Sequence, residues 1–127
     1  MNREIKFKVW DKIMEDIAPL VELHSDWVAI PIMDEEGGHL EKRKIEDVEL
    51  MQFTGLHDKN GKEVYEGDIV KYRTHPMKTS KGIVVWSKNE PALKILDDHI
   101  YYSLGSINMI EIIGNIYENP ELLTNEN

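Results

Sequence analysis

The residues best suited to binding chemistry lie in a basic segment between Lys71 and Lys88. The chain has 15 basic and 24 acidic residues, and this segment holds five of the basic ones and no Asp or Glu. Such cations could contact phosphate groups or an acidic protein surface, and nearby aromatic rings could stack on bases. The candidate contact residues are Lys71, Tyr72, Arg73, Lys78, Lys81 and Trp86. The alternative interpretation is that the cations are solvated positions of strands and a loop, and that the aromatic rings belong to the core.

Other polar patterns lack the spacing that catalysis or metal binding requires. The segment DKNGKE at 58–63 is similar to the start of a calcium loop, but its glycine is fourth rather than sixth, so we expect a hairpin turn there. The five histidines show neither H-x3-H nor H-E-x-x-H spacing, and the chain has no cysteine. Adjacent acids such as Asp97 and Asp98 would point to opposite faces of a strand. We therefore expect no enzymatic activity, no metal and no cofactor.

Charge and hydropathy restrict the partners and the location. The net charge of -9 disfavours nucleic acid as a partner, because phosphate binding depends largely on Lys and Arg. No apolar run approaches the roughly 18 residues that span a bilayer, and the N-terminus lacks the apolar stretch of a signal peptide. We expect a cytoplasmic protein that does not interact with membranes.

The elements that would position these residues are mostly short strands. Alternating apolar residues predict an opening strand around Ile5–Val9, and Trp27–Met33 is a second strand that Pro31 restricts to an edge or a bulge. Residues 13–21 have helical apolar spacing interrupted by proline, so their structure stays open. Residues 41–49 fit either a short helical turn or a solvated connector.

From residue 50 onward the turn signals become regular. Asn60-Gly61 and Gly67-Asp68 mark turns between short alternating runs, and four or five strands at intervals of roughly 8 to 12 residues are typical of a small barrel or sandwich. Gly114 within the last run indicates a bulge or a close backbone approach. Asn119-Pro120 predicts one terminal turn of helix.

The fold class predicted from these patterns is mainly β, with an α+β arrangement as the alternative. We expect a strand-rich N-terminal extension over residues 1–49 and a small barrel over residues 50–127, which together could form one compact unit. An exposed edge strand would offer a route to a homo-oligomer.

Four segments resemble the YopX family of bacteriophage and prophage proteins. They are REIKFKVWDK at 3–12, LMQFTGLHDKNGKEVYEGDIV at 50–70, GIVVW at 82–86 and IEIIGNIYENPELL at 110–123. The resemblance implies a small, mostly β protein with an SH3-like barrel in its C-terminal part. It implies no activity and no site residues, because the family is functionally uncharacterised.

Three hypotheses about function follow. The preferred one is a non-enzymatic module that binds a host or phage protein, with an acidic DNA mimic that inhibits a host enzyme as a variant of it. The second is a nucleic-acid-binding barrel that uses the basic segment. The third is an enzyme whose site is assembled only by the fold, which rests solely on the available carboxylates and histidines.

Overall fold

The chain is mainly β, as the sequence predicts. The computed structural model describes residues 4–75, 78–87, 90–95, 101–103 and 109–123. These residues form twelve strands and two short 3-10 helices, Ile45–Asp47 and Pro120–Leu123. The strands are β1 (Phe7–Asp11), β2 (Asp16–Pro19), β3 (Glu22–Leu23), β4 (Trp27–Asp34), β5 (Gly37–Lys44), β6 (Val48–His57), β7 (Glu63–Tyr65), β8 (Asp68–His75), β9 (Lys78–Ser87), β10 (Glu90–Ile95), β11 (Tyr101–Ser103) and β12 (Glu111–Asn115). No helix among the described residues has the length and apolar character needed to cross a bilayer.

The chain divides into two compact units between Gln52 and Phe53. We call Ile5–Gln52 the N-terminal unit, and the residues from Phe53 onward, with Glu4, the C-terminal unit. The boundary predicted from the sequence lay at residues 49 and 50, within β6.

In the N-terminal unit, β1 pairs antiparallel with β2 on one side and with the first part of β6 on the other. A separate antiparallel sheet has the order β3-β4-β5. Val9 and Asp11 of β1 are fully buried, as are Val28 and Ile30 of β4, because alternate residues of a strand turn to the same face; Ala29 on the other face of β4 is also buried. The core consists of Val9, Ala18, Val28, Ile30 and Val48.

Residues 13–21, which the sequence left open, contain a strand rather than a helix. β2 covers Asp16–Pro19 and pairs with β1. Residues 41–49 complete β5, form the 3-10 helix Ile45–Asp47 and enter β6.

The sequence predicted that Pro31 restricts its strand to an edge or a bulge, but β4 is the central strand of its sheet and pairs with β5 without a bulge. Pro31 is tolerated there because it lies beyond the part of β4 that pairs with β3. The Ala29 carbonyl accepts a hydrogen bond from the Val21 N–H at 3.0 Å. The odd-numbered residues of β4 therefore direct their backbone N–H and C=O groups toward β3. The paired residues of β3 end opposite Ala29, so the missing N–H of Pro31 removes no bond of this ladder.

In the C-terminal unit, a five-stranded antiparallel sheet of order β11-β10-β9-β8-β12 curls into a half-barrel. The last part of β6 pairs with β7. The core consists of Val64, Val70, Tyr72, Val84 and Ile110, with Leu56 and Ile112 packed against it. Gly61 and Gly67 have φ of 84° and 94°, which explains why glycine occupies these turns.

Candidate interaction surfaces

Three of the predicted basic residues share one outward face of the C-terminal unit. Lys71 and Arg73 alternate with buried Tyr72 on β8, and Lys81 lies directly opposite Lys71 on β9. Because residues two apart on a strand, and residues paired across strands, point to the same side, these three side chains leave the sheet together. We call this group, Lys71, Arg73 and Lys81, the basic face.

One carboxylate reduces the charge of the basic face. Glu111 on β12 is paired with Lys71, and its Oε1 lies 3.4 Å from Lys71 Nζ and 3.3 Å from Lys59 Nζ. Hydrogen bonding from Lys59, with a further contribution from Lys71, holds the pKa of Glu111 below its usual value. Glu111 is therefore charged at neutral pH, and with Lys59 included the group keeps an excess of positive charge.

Lys81 also has a structural contact. Its Nζ donates a hydrogen bond to the carbonyl of Leu122 at 2.8 Å, which ties β9 to the C-terminal 3-10 helix. Arg73 is exposed beside it, opposite Thr79.

The two predicted aromatic contact residues do not lie on this face. Tyr72 is 5% exposed and belongs to the core. Trp86 is half-buried and lies two residues after fully buried Val84, so it takes the core-facing side of β9. Lys78 begins β9, and its side chain lies outside the described residues. The sheet therefore separates Lys71, Arg73 and Lys81 from the two aromatic rings.

A second polar group, which the sequence analysis missed, lies in the N-terminal unit. His39, Glu41 and Arg43 alternate along β5, opposite Ile32, Ile30 and Val28 of β4. The three polar side chains therefore lie on the same side of the sheet as the apolar core residues of β4. The pattern His-x-Glu-x-Arg in a strand is the signal that could have revealed it.

These polar side chains are linked to one another. His39 Nε2 lies 2.8 Å from Glu41 Oε1, and His39 Nδ1 lies 3.3 Å from Asp34 Oδ2. The hydrogen bond between His39 and Glu41, together with the nearby negative charge of Asp34, raises the pKa of His39 above its ordinary value. Glu41 also accepts a bond from Arg43 at 3.4 Å.

Arg43 is held by Asp11 at the end of β1. Its Nε and one terminal nitrogen donate to the two carboxylate oxygens at 3.0 and 3.2 Å. The Asp11 and Arg43 side chains are only 2% and 9% exposed. This bidentate pair joins β1 to β5 and therefore has a structural role.

Asp58, the first residue of the segment similar to a calcium loop, is also structural. One of its carboxylate oxygens accepts the N–H groups of Asn60 and Lys62, and the other accepts that of Ile112. One oxygen thus stabilises the hairpin turn, and the other connects the turn to β12. No three His, Asp or Glu side chains within the described ranges are grouped as a metal site would require.

Comparison with known proteins identifies relatives by family and by fold. A family model described as YopX protein matches residues 6–124. Protein EF1440 from Enterococcus faecalis is 23% identical, with a TM-score of 0.70 over 97% of this chain and 100% of that one. Protein yopX from Bacillus subtilis is 21% identical, with a TM-score of 0.65 over 94% of this chain and 98% of that one. No functionally curated protein matches the chain.

Proposed function

Because this chain belongs to the YopX family, whose model covers nearly all of it, we propose that it is a non-enzymatic protein-interaction module. In this proposal a phage or prophage encodes it, and it binds an acidic surface of a host or phage protein in the cytoplasm of the bacterial host. The observation that carries the proposal is the basic face, because three cations project from one side of a sheet in a chain of net charge -9.

The basic face is suited to an acidic partner because strand pairing sets the backbone positions from which its charged side chains project. Lys71 and Lys81 are paired across β8 and β9, and Arg73 follows on the same side. Positive patches that meet negative ones accelerate association and select the correct partner. The net charge of -9 would repel other acidic proteins, so it would favour binding in the orientation in which this face meets the partner.

A protein partner is favoured over nucleic acid by the placement of the aromatic rings. Single-stranded nucleic acid is bound by a basic groove combined with aromatic side chains on which the bases stack. Here Tyr72 lies in the core and Trp86 on the core-facing side, so neither ring joins the cations. The convergence of Lys71, Arg73 and Lys81 nevertheless supports duplex DNA as a second candidate, bound through its phosphates.

The absence of enzymatic activity is part of the proposal. The most elaborate polar group, on β5, is internally satisfied: both ring nitrogens of His39 contact carboxylates, and Arg43 is held by Asp11. A general base must reach the proton that it removes from a substrate or from water, and both ring nitrogens of His39 are directed at carboxylates instead.

Affinity capture from a lysogenic or infected host tests the proposal. We expect the wild-type chain to retain an acidic protein at near-physiological salt, and the Lys71→Glu/Arg73→Glu variant to lose it. The matched control is Lys42→Glu/Lys44→Glu, which makes the same charge change at the same two-residue spacing on β5 and should still bind. Capture of no protein, or equal capture by all three chains, would refute the proposal.

A salt titration distinguishes the second candidate. Duplex DNA bound through phosphates should show affinity that falls steeply as salt is added, and Lys71→Glu/Arg73→Glu should abolish it. If the purified chain binds no DNA at low salt, the nucleic-acid hypothesis is eliminated and the protein-partner hypothesis is unaffected.

A further inference from the structure

β5 is the most regular edge strand among the described elements. It has eight residues, all paired with β4 without a shift in register, and it ends the sheet order β3-β4-β5. The other sheet edges are less suitable: β3 has two residues, β7 and β11 have three, β2 ends in proline, and β12 contains a register shift. A long, regular edge is a template for pairing with another strand.

The hydrogen-bonding groups on the outer side of β5 belong to its even-numbered residues. The odd-numbered residues of β4 direct their backbone N–H and C=O groups toward β3, so the even-numbered residues of β4 form the backbone hydrogen bonds to β5. Their partners on β5 are His39, Glu41 and Arg43. Gly38, Leu40 and Lys42 therefore direct their N–H and C=O groups away from β4, where an additional strand would pair.

The side chains of the same strand differ between its two faces. His39 and Glu41 lie on the core-facing side, and Leu40 lies on the opposite side near Pro31, with which it is paired, and Met33. Leu40 and Met33 are 53% and 78% exposed. The outer face of this hairpin thus presents apolar side chains to solvent.

We propose that two copies of this chain associate through their β5 strands, antiparallel, with the two-fold axis passing at Leu40. In this register Leu40 meets Leu40 of the second copy on the apolar face. On the other face His39 lies opposite Glu41 of the second copy, and the symmetry repeats this pair of opposite charge. A two-fold interface must be self-complementary, and this one is.

Neighbouring registers are unfavourable for physical reasons. An axis at Glu41 would place Glu41 against its own copy and His39 against Arg43. An axis at Lys42 would place two lysines together, and an axis at His39 would place two histidines together. Like charges directly opposite each other destabilise strand pairs, so the pattern Gly-His-Leu-Glu-Lys selects Leu40 as the centre.

A second copy of β5 would satisfy the outward backbone groups of this edge. Gly38 pairs with Lys42 of the second copy, Leu40 with Leu40, and Lys42 with Gly38, so the outward groups of all three residues are satisfied by about six backbone bonds. The paired segment covers only a few residues of each copy, so we expect a dimer that dissociates on dilution rather than an obligate one.

Sedimentation velocity over a dilution series tests the association. We expect the wild-type chain to dimerise and the Leu40→Pro variant to remain monomeric with unchanged circular dichroism. The N–H that proline removes faces away from β4, so the internal ladder keeps its bonds. A wild-type chain that is monomeric throughout, or a folded Leu40→Pro variant that still dimerises, would overturn the proposal.

Cysteine crosslinking tests the register independently. The chain contains no cysteine, so Leu40→Cys and Lys44→Cys each introduce a single thiol. In the proposed register the two copies of residue 40 are about 5.5 Å apart between Cα atoms, whereas those of residue 44 are about 27 Å apart. A short bis-maleimide should therefore link Leu40→Cys and not Lys44→Cys. Crosslinking of both, of neither, or of Lys44→Cys alone would refute the register.

Discussion

At the residue scale, Asp58 connects a turn to a distant strand. Its carboxylate accepts N–H groups from Asn60 and Lys62 within the turn and from Ile112, which is 54 residues away along the chain. Burial by itself would raise the pKa of Asp58, but these backbone hydrogen bonds together lower it below the ordinary value. The sequence predicted the turn, yet no local pattern could reveal the bond to Ile112.

We predict that Asp58→Ala destabilises the chain by about 3 kcal/mol, because three backbone donors lose a charged acceptor. A lowered folded pKa means that this stabilisation is complete above the unfolded pKa and disappears as the pH falls through the folded pKa. Urea unfolding at a series of pH values below 5 measures both effects.

Asp58→Asn is the control for the charge. It keeps one carbonyl oxygen for the turn but sets an NH2 group against the Ile112 N–H. We expect intermediate stability and a loss of the acid-dependent component. An Asp58→Asn variant with the wild-type pH dependence would contradict the assignment.

At the element scale, Gly114 lies at the register shift of β12 and close to the C-terminal 3-10 helix. A Cβ built on Gly114 would lie 2.5 Å from Asn119 Oδ1 and 2.9 Å from Leu122 Cδ1. The sequence predicted a bulge or a close backbone approach at this position. The register shift confirms the bulge, and the atoms that approach Gly114 belong to side chains rather than to the backbone. It also predicted the terminal turn, but Asn119 Oδ1 accepts the Asn115 N–H rather than capping the helix.

We predict that Gly114→Ala costs about 1–3 kcal/mol, because the added methyl displaces Asn119 from its bond to Asn115. Thermal or urea unfolding measures the change. In an Asn119→Ala background the same substitution should cost less, since the nearest clashing atom is absent. Equal costs in both backgrounds would show that the close approach to Asn119 is not the cause.

At the scale of the whole molecule, the described residues form a buried cluster in each of the two units. The buried cluster around Val9, Val28 and Ile30 lies in the N-terminal unit, and the cluster around Val70 and Val84 lies in the C-terminal unit. The two clusters share no residue. We therefore expect the two units to differ in their resistance to local opening.

We predict that Ile30→Ala destabilises the chain by about 2–5 kcal/mol, because Ile30 is fully buried. Hydrogen exchange should show the greater loss of protection in β4 and β5, with a smaller loss in β8 and β9. Val84→Ala is the corresponding substitution in the C-terminal unit, and it should cause the greater loss of protection in β8 and β9 and the smaller loss in β4 and β5. Uniform loss of protection in both variants would mean that the chain opens as one cooperative body.

The sequence by itself determined the class of the fold and most of its turns, because alternation along a strand and positive φ at glycine are local properties. It also located the basic segment and the family. Only the tertiary structure decided which side chains share a surface, because faces depend on strand pairing and register. Pairing of β8 with β9 set Lys81 beside Lys71 and turned Tyr72 inward, and pairing of β4 with β5 left Leu40 at an open edge.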